Sequence, residues 1–267
     1  MVRTQVENVP LKGRTMTKVG VASKWVDAFA KSFYIAKKDA KVYYFKAPNF
    51  TYGLLMPVSL FLAFSIAGQI NSSLIVPGLT SLVILFGTTS IEAVAVVLER
   101  QTGTFERLLV APVSFFTLIL GKALAGLFFG LVLATALLVP LSIASGTGVA
   151  NPLLVLVAIA FSSLTFSGLG VLVSVYAKWV PEAQMLSNFL RFPMAFLSGT
   201  FVPLELMPSQ LRVAARFLPL TYSVEALRIS MNDSAITATY WLDILVLAVF
   251  SFALFVTAAK VLQKKIE

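Results

Sequence analysis

Residues 74–98 read L-I-V-P-G-L-T-S-L-V-I-L-F-G-T-T-S-I-E-A-V-A-V-V-L, a run in which Glu92 is the sole ionisable side chain. A hydrocarbon core of about 30 Å is crossed by about 20 apolar residues in a helix, so this stretch predicts a transmembrane segment. Lipid offers no water to backbone amides, and a helix satisfies them internally. Five more runs meet the same requirement: 50–70, 114–144, 153–176, 185–203 and 241–262. The expected fold is all-α, a membrane protein of six transmembrane helices.

The composition agrees. Of the 267 residues, 58% are apolar and 12% charged, where a soluble domain carries about 25% charged residues. This excludes an ordinary soluble enzyme and a disordered tail. A formal charge of +9 could suggest nucleic-acid binding, but ten of the 21 Lys and Arg precede residue 50. Cys and His are both absent, which removes disulfides, thiolate nucleophiles and the commonest general base and metal ligand. The first apolar run starts near Phe50, so no secretory signal peptide is expected.

The connections 71–73 and 145–151 carry no charge, whereas bases lie before Phe50, between Glu99 and Lys122, at Lys178 and from Lys260 onward. By the positive-inside rule both termini are cytoplasmic, as an even number of crossings requires. The longer 203–240 connection, with Arg212, Arg216 and Arg228, then falls outside. The organisation expected is a mobile cytoplasmic N-terminus (1–22), an amphipathic helix (23–47) and one six-span domain (48–267). Pro57, Pro77, Pro140 and Pro193 fall within spans, and each frees a carbonyl that a neighbouring helix or hydroxyl must satisfy. Gly126 and Gly130 form a small-xxx-small pair for close helix approach, within the chain or between two copies.

From Lys24 to Tyr44 the pattern is helical. At about 100° per residue, Trp25, Phe29, Phe33, Ala36, Ala40 and Tyr43 share one arc. Asp27, Lys31, Lys38 and Lys41 lie opposite, with Tyr34 out of pattern. This predicts an interfacial helix with aromatics at the headgroup boundary and lysines toward anionic lipid. A solvated basic arm is the plainer alternative.

Between the second and third spans lies L-E-R-Q-T-G-T-F-E-R-L-L-V-A-P, residues 98–112. Gly103 suits an N-cap, Glu106 suits the dipole of the first turn, and Pro112 disfavours helix at Ala111. The result is a helix of about two turns, with Phe105, Leu108 and Leu109 on an apolar face and Glu106 and Arg107 on a charged one. It could dock into a groove on a cytoplasmic partner or lie on the bilayer as a connector. Further on, Pro208 suits the first position of a short turn over 210–217. Leu218 and Pro219 end that turn, and a helix over 222–231 sets Glu225 and Arg228 at i,i+3 spacing.

Three stretches in this order carry a resemblance: E-R-Q-T-G-T-F-E-R-L-L-V-A-P at 99–112, F-P-M-A-F-L-S-G-T-F-V-P-L-E-L-M-P at 192–208, and L-P-L-T-Y-S-V-E-A-L-R at 218–228. Together they resemble type-two ABC exporter permeases, the membrane subunits of drug-resistance and polysaccharide export systems. The resemblance implies two permease chains associated with two cytoplasmic ABC ATPase subunits. It makes Glu99, Arg100, Gly103, Thr104, Phe105, Glu106, Arg107, Leu108 and Pro112 an ATPase-coupling segment. Trp25, Phe29, Lys31, Phe33 and Lys38 would belong to a connecting helix beside it. Gly199, Pro203, Glu205, Pro208, Pro219, Glu225 and Arg228 would belong to an external re-entrant hairpin. Substrate would pass between protomers near the first, second and fifth spans.

No Gly-x-x-x-x-Gly-Lys-Ser/Thr stretch occurs, so there is no P-loop to cradle phosphates. ATP and Mg are therefore expected on the partner, with no cofactor, metal or catalytic site on this chain. Within the spans, Glu92, Arg191 and Asp243 stand out, because a charge at mid-bilayer costs at least about 2.5 kcal/mol. Glu92 could ligate a cation, shuttle a proton, contact a polar substrate, or anchor the bundle by pairing with Arg191. Asp243 reads as a helix cap. The function expected is a homodimeric exporter subunit in the cell membrane that moves an amphipathic drug, lipid or lipid-linked glycan. The alternative is a secondary transporter driven by an ion gradient through Glu92.

Overall fold

The computed structural model describes residues 21–44, 47–66, 72–105, 107, 115–232 and 237–266, and among them no strand occurs. Helix α1, Val21–Asp39, continues into a π-helical turn, Ala40–Tyr44. Then come α2 (Ala47–Ile66), α3 (Ser72–Gln101), α4 (Phe115–Ser145), α5 (Pro152–Tyr176) and α6 (Val180–Leu197). A 3₁₀ turn at Leu204–Leu206 leads into α7 (Ser209–Ala215), α8 (Pro219–Asn232) and α9 (Ala238–Ile266). Four helices are long and apolar enough to cross a membrane: Ser72–Gln101, Thr117–Ser145, Pro152–Tyr176 and Ala238–Lys264. Helices α2 and α6 occupy the places of the first and fifth apolar runs. The expected mobile N-terminus lies, but for its last two residues, outside the described residues.

Helix α3 is the axis of the bundle, 83% buried over its most apolar stretch against 28% for α9. It is sheathed by α2, α4, α5, α6 and α8. Glycines permit this density. A Cβ on Gly170 of α5 would stand 2.6 Å from the Thr89 carbonyl oxygen of α3. Cβ atoms on Gly126 and Gly130 would each meet a serine hydroxyl of α5, Ser167 and Ser163, at 2.2 Å. The small-xxx-small pair therefore serves packing within the chain. Pro77 behaves as its position requires: Ser73, four residues earlier, loses its helical donor, and the Asn232 amide donates to the Ser73 carbonyl at 3.0 Å.

Several boundaries differ from expectation. Helix α6 stops at Leu197 rather than near Pro203, because Gly199 takes φ +76° and turns the chain. Helix α8 starts at Pro219 itself, since proline fits the first helical position, where its missing N–H costs nothing. Pro208 caps α7 from the residue before it, one position earlier than expected. Asp243 is not a cap: it lies in the second turn of α9, buried, and its Oδ2 has no hydrogen-bond partner among the described residues.

The two ends of the bundle differ in kind. At one, the Ala150 and Asn151 amides donate to the Met231 and Ser230 carbonyls, beside Ser72, Ser73 and Asn232. At the other, Lys38, Glu99, Arg100 and Lys122 gather with the Ala177–Lys178 turn. This is the segregation of charged and uncharged connections that the sequence predicts.

Candidate functional site

Lys122 lies two turns inside α4, buried to 1% exposure, in a stretch otherwise free of charge. Its ammonium reaches Asp39 Oδ2 of α1 at 2.7 Å and Glu99 Oε2 of α3 at 2.6 Å. Lys38 closes the ring, 2.5 Å from Glu99 Oε1 and 2.9 Å from Asp39 Oδ1. Two acids and two bases thus neutralise one another and tie three helices together. Burial alone would raise the Asp39 carboxyl, but Lys122 and Lys38 outweigh it and hold the group below the ordinary value of 3.8. Beside the ring, Ser32 donates to the Thr117 carbonyl at 2.9 Å, and Gly121 lets α1 close onto α4, where an added Cβ would meet Ile35 at 2.8 Å.

This geometry defines which face of α1 does what. Ser32, Ile35, Ala36 and Asp39 turn into the protein. Phe29 and Phe33, from the predicted aromatic arc, are exposed, and Phe33 meets Phe128 of α4 edge-on at 6.5 Å. Lys31 is on the exposed side; Trp25 lies in α1, its side chain outside the described residues. Sequence reasoning missed Asp39 and Lys122. The available signal was a lone lysine within an apolar run.

The segment that begins at Glu99 is fastened at its start. Arg100 donates to the Ser174 carbonyl and, at 2.7 Å, to the Ala177 carbonyl, while Gln101 donates to the Lys178 carbonyl at 3.1 Å. Gly103 takes φ +67°. Its N–H closes α3 on the Arg100 carbonyl, and its carbonyl accepts the Arg107 N–H at 3.4 Å. One glycine therefore ends one helix and opens the next helical turn, in the left-handed conformation that side chains with a Cβ disfavour. Thr104 shares a hydroxyl contact with Thr102 at 3.0 Å. Phe105 is buried among Leu118, Val175 and Leu262, pinning the turn to α4, α5 and α9. Arg107 is exposed. Glu106, Leu108 and Pro112 lie outside the described residues. Glu99 itself faces the ring, not the surface.

Glu92 does not pair with Arg191. Its Oε1 accepts from Ser167 at 3.1 Å, Oε2 is buried with no hydrogen-bond partner among the described residues, and Gly126 and Gly170 leave room for the side chain against α4 and α5. Arg191 instead donates to the Phe86 carbonyl at 3.0 Å, to Ser90, to Asn188 at 2.8 Å and to Gln184 at 3.3 Å. Ser90 and Glu92, two residues apart on α3, point about 200° away from each other, so α6 meets the first and α5 the second.

In the segment after α6, Arg228 donates to the Gly199 carbonyl at 3.0 Å rather than to Glu225. Arg212 gathers the Leu204, Glu205 and Met207 carbonyls, with Pro203 capping the 3₁₀ turn. Ser223 of α8 bonds Ser162 at 2.7 Å and Ser81 at 3.2 Å, joining this segment to α5 and α3. Among the described residues no group of His, Cys, Asp and Glu could hold a metal ion.

The ABC-2 type transporter family matches residues 30–232. The chain is 29% identical over 199 residues to the inner membrane transport permease YadH of Escherichia coli K12, covering 71% of this chain and 74% of that protein. It is 25% identical over 174 residues to the permease YhhJ of the same strain, covering 64% of this chain and 46% of that one. Nodulation protein J of Rhizobium leguminosarum bv. viciae is 30% identical over 108 residues, 40% of this chain and 41% of its own. The match takes in α1 from Ala30, the ion-paired ring, the Gly103 turn and α8, with four membrane-length helices within and beyond it. The chain belongs to the ABC-2 type transporter family and is a multi-pass membrane subunit of a transporter, a family whose membership implies a partner ATPase.

Proposed function

We propose that the chain is the permease of a homodimeric ATP-driven exporter, moving an amphipathic substrate outward when two partner ATPases bind and hydrolyse ATP with Mg. In this reading α2 and α6 complete six crossings, both termini are cytoplasmic, and the segment from Gly199 to Arg228 is a re-entrant hairpin at the exit. The family match across 30–232 carries it. The attachment of the 99–107 segment supports it further: Arg100 and Phe105 bind that segment to α4, α5 and α9, and Glu99 binds it to α1. A partner pressing on the turn would displace these helices together. Residues 23–47 then act as the connecting helix, held to the same ring by Lys38 and Asp39.

The test is reconstitution with the co-purifying ATPase. Transport should require ATP, and an imposed proton or sodium gradient across vesicles holding the chain alone should drive none. Gly103→Val should leave insertion and ATP hydrolysis intact while lowering transport at least tenfold, because a β-branched residue resists the left-handed turn that aims the segment. Gradient-driven transport by the chain alone, or normal coupling in Gly103→Val, would overturn the reading.

A further inference from the structure

Arg191 is 1% exposed, and no carboxylate pairs with it among the described residues. Its hydrogen bonds go to neutral groups: one carbonyl, one hydroxyl and two side-chain amides. Nε is buried with no hydrogen-bond partner among the described residues. The guanidinium lies 5.0 Å from the centre of the Phe86 ring, which in turn meets Phe192 edge-on at 5.7 Å. In the ring of Lys38, Asp39, Glu99 and Lys122 each buried charge is offset by its opposite, an arrangement that Arg191 lacks. Among the described residues no opposite charge balances the guanidinium of Arg191.

Its setting points outward. Asn188 and Gln184, which cover the guanidinium, are only partly buried. Next to them on α6 runs an exposed apolar strip of Met185, Phe189 (78% exposed), Phe192 and Phe196. We propose that Arg191 is an anion-recognition site, taking the phosphate or carboxylate headgroup of an amphiphile whose apolar part lies along this strip. Entry of the anion displaces the two neutral amides and supplies the missing counter-charge in a bidentate geometry that guanidinium favours. The negative amphiphile is either the cargo or a resident bilayer lipid; that it is cargo rests on the exporter reading above.

The experiment measures binding of a fluorescent short-chain phosphatidic acid, against its phosphatidylcholine counterpart, to the purified full chain without ATPase or nucleotide. Wild type should prefer the acid at least tenfold. Arg191→Gln should abolish the preference, and Arg191→Lys should keep part of it. Asn188→Asp is the decisive variant, since it places a carboxylate against the guanidinium, favours folding, and should abolish the preference with Arg191 still present. An unchanged preference in Asn188→Asp overturns the proposal even if Arg191→Gln fails to fold. With the co-purifying ATPase and ATP, outward movement of the bound probe identifies it as cargo, and retention identifies it as resident lipid; both support the site. Because binding needs no ATPase, its failure leaves the exporter reading standing, and failure of ATP-dependent transport leaves this preference readable.

Discussion

Lys122→Met should destabilise the folded chain by about 3–5 kcal/mol, the cost of stranding a buried charge by removing its partner. Two carboxylates, Asp39 and Glu99, would remain with no exposure and only Lys38, itself 31% exposed, to balance them. Unfolding of the purified chain in mild detergent would register the loss as a fall in transition temperature. Adding Asp39→Asn and Glu99→Gln to Lys122→Met should recover most of it, because the surplus negative charge goes with them. A side chain that merely filled space would show no such recovery. The ring also sets a pH dependence. The Asp39 carboxyl titrates below 3.8 in the folded state, so its contribution is fully present above the unfolded value and is lost as pH falls below it. Stability from this source should be flat from about pH 5 to 8 and decline under more acidic conditions.

Gly170→Val should cost about 3 kcal/mol or more, at the upper end of overpacking effects. The first atom added would stand 2.6 Å from the Thr89 carbonyl oxygen, 2.8 Å from Glu92 Cβ and 3.1 Å from Thr89 Cα. Two of these are backbone atoms, which cannot rotate away as a side-chain tip can. Helices α3 and α5 would have to separate at the most buried crossing of the bundle. Gly148→Val is the matched control, since nothing lies within 4 Å of its added Cβ. Equal unfolding temperatures for the two variants would refute the tight crossing.

The helices were legible in the sequence because their cause is local. A continuous apolar run must be helical in lipid whatever its neighbours do, and all six runs end within about six residues of an observed helix end. The demand that Pro77 makes on its surroundings could likewise be foreseen, though not the identity of Asn232, 155 positions away. The pairing of Glu92 with Arg191 could not be judged from proximity in span order. It turned on which face of α3 each neighbour meets. The aromatic arc of α1 was visible, but an arc does not say whether the protein or the bilayer takes the polar side. Here a serine, an alanine and an aspartate face inward, because Asp39 finds Lys122. Such partners, 83 residues apart in the chain, leave no periodic trace.

The order of the four ring residues along the chain has a bearing on biosynthesis. Lys38, Asp39 and Glu99 all leave the ribosome before Lys122 does. When the lysine-bearing segment reaches the insertion machinery, the carboxylates that receive its proton-rich head are already made, so the nascent chain carries its own counterions for the costliest step of its assembly.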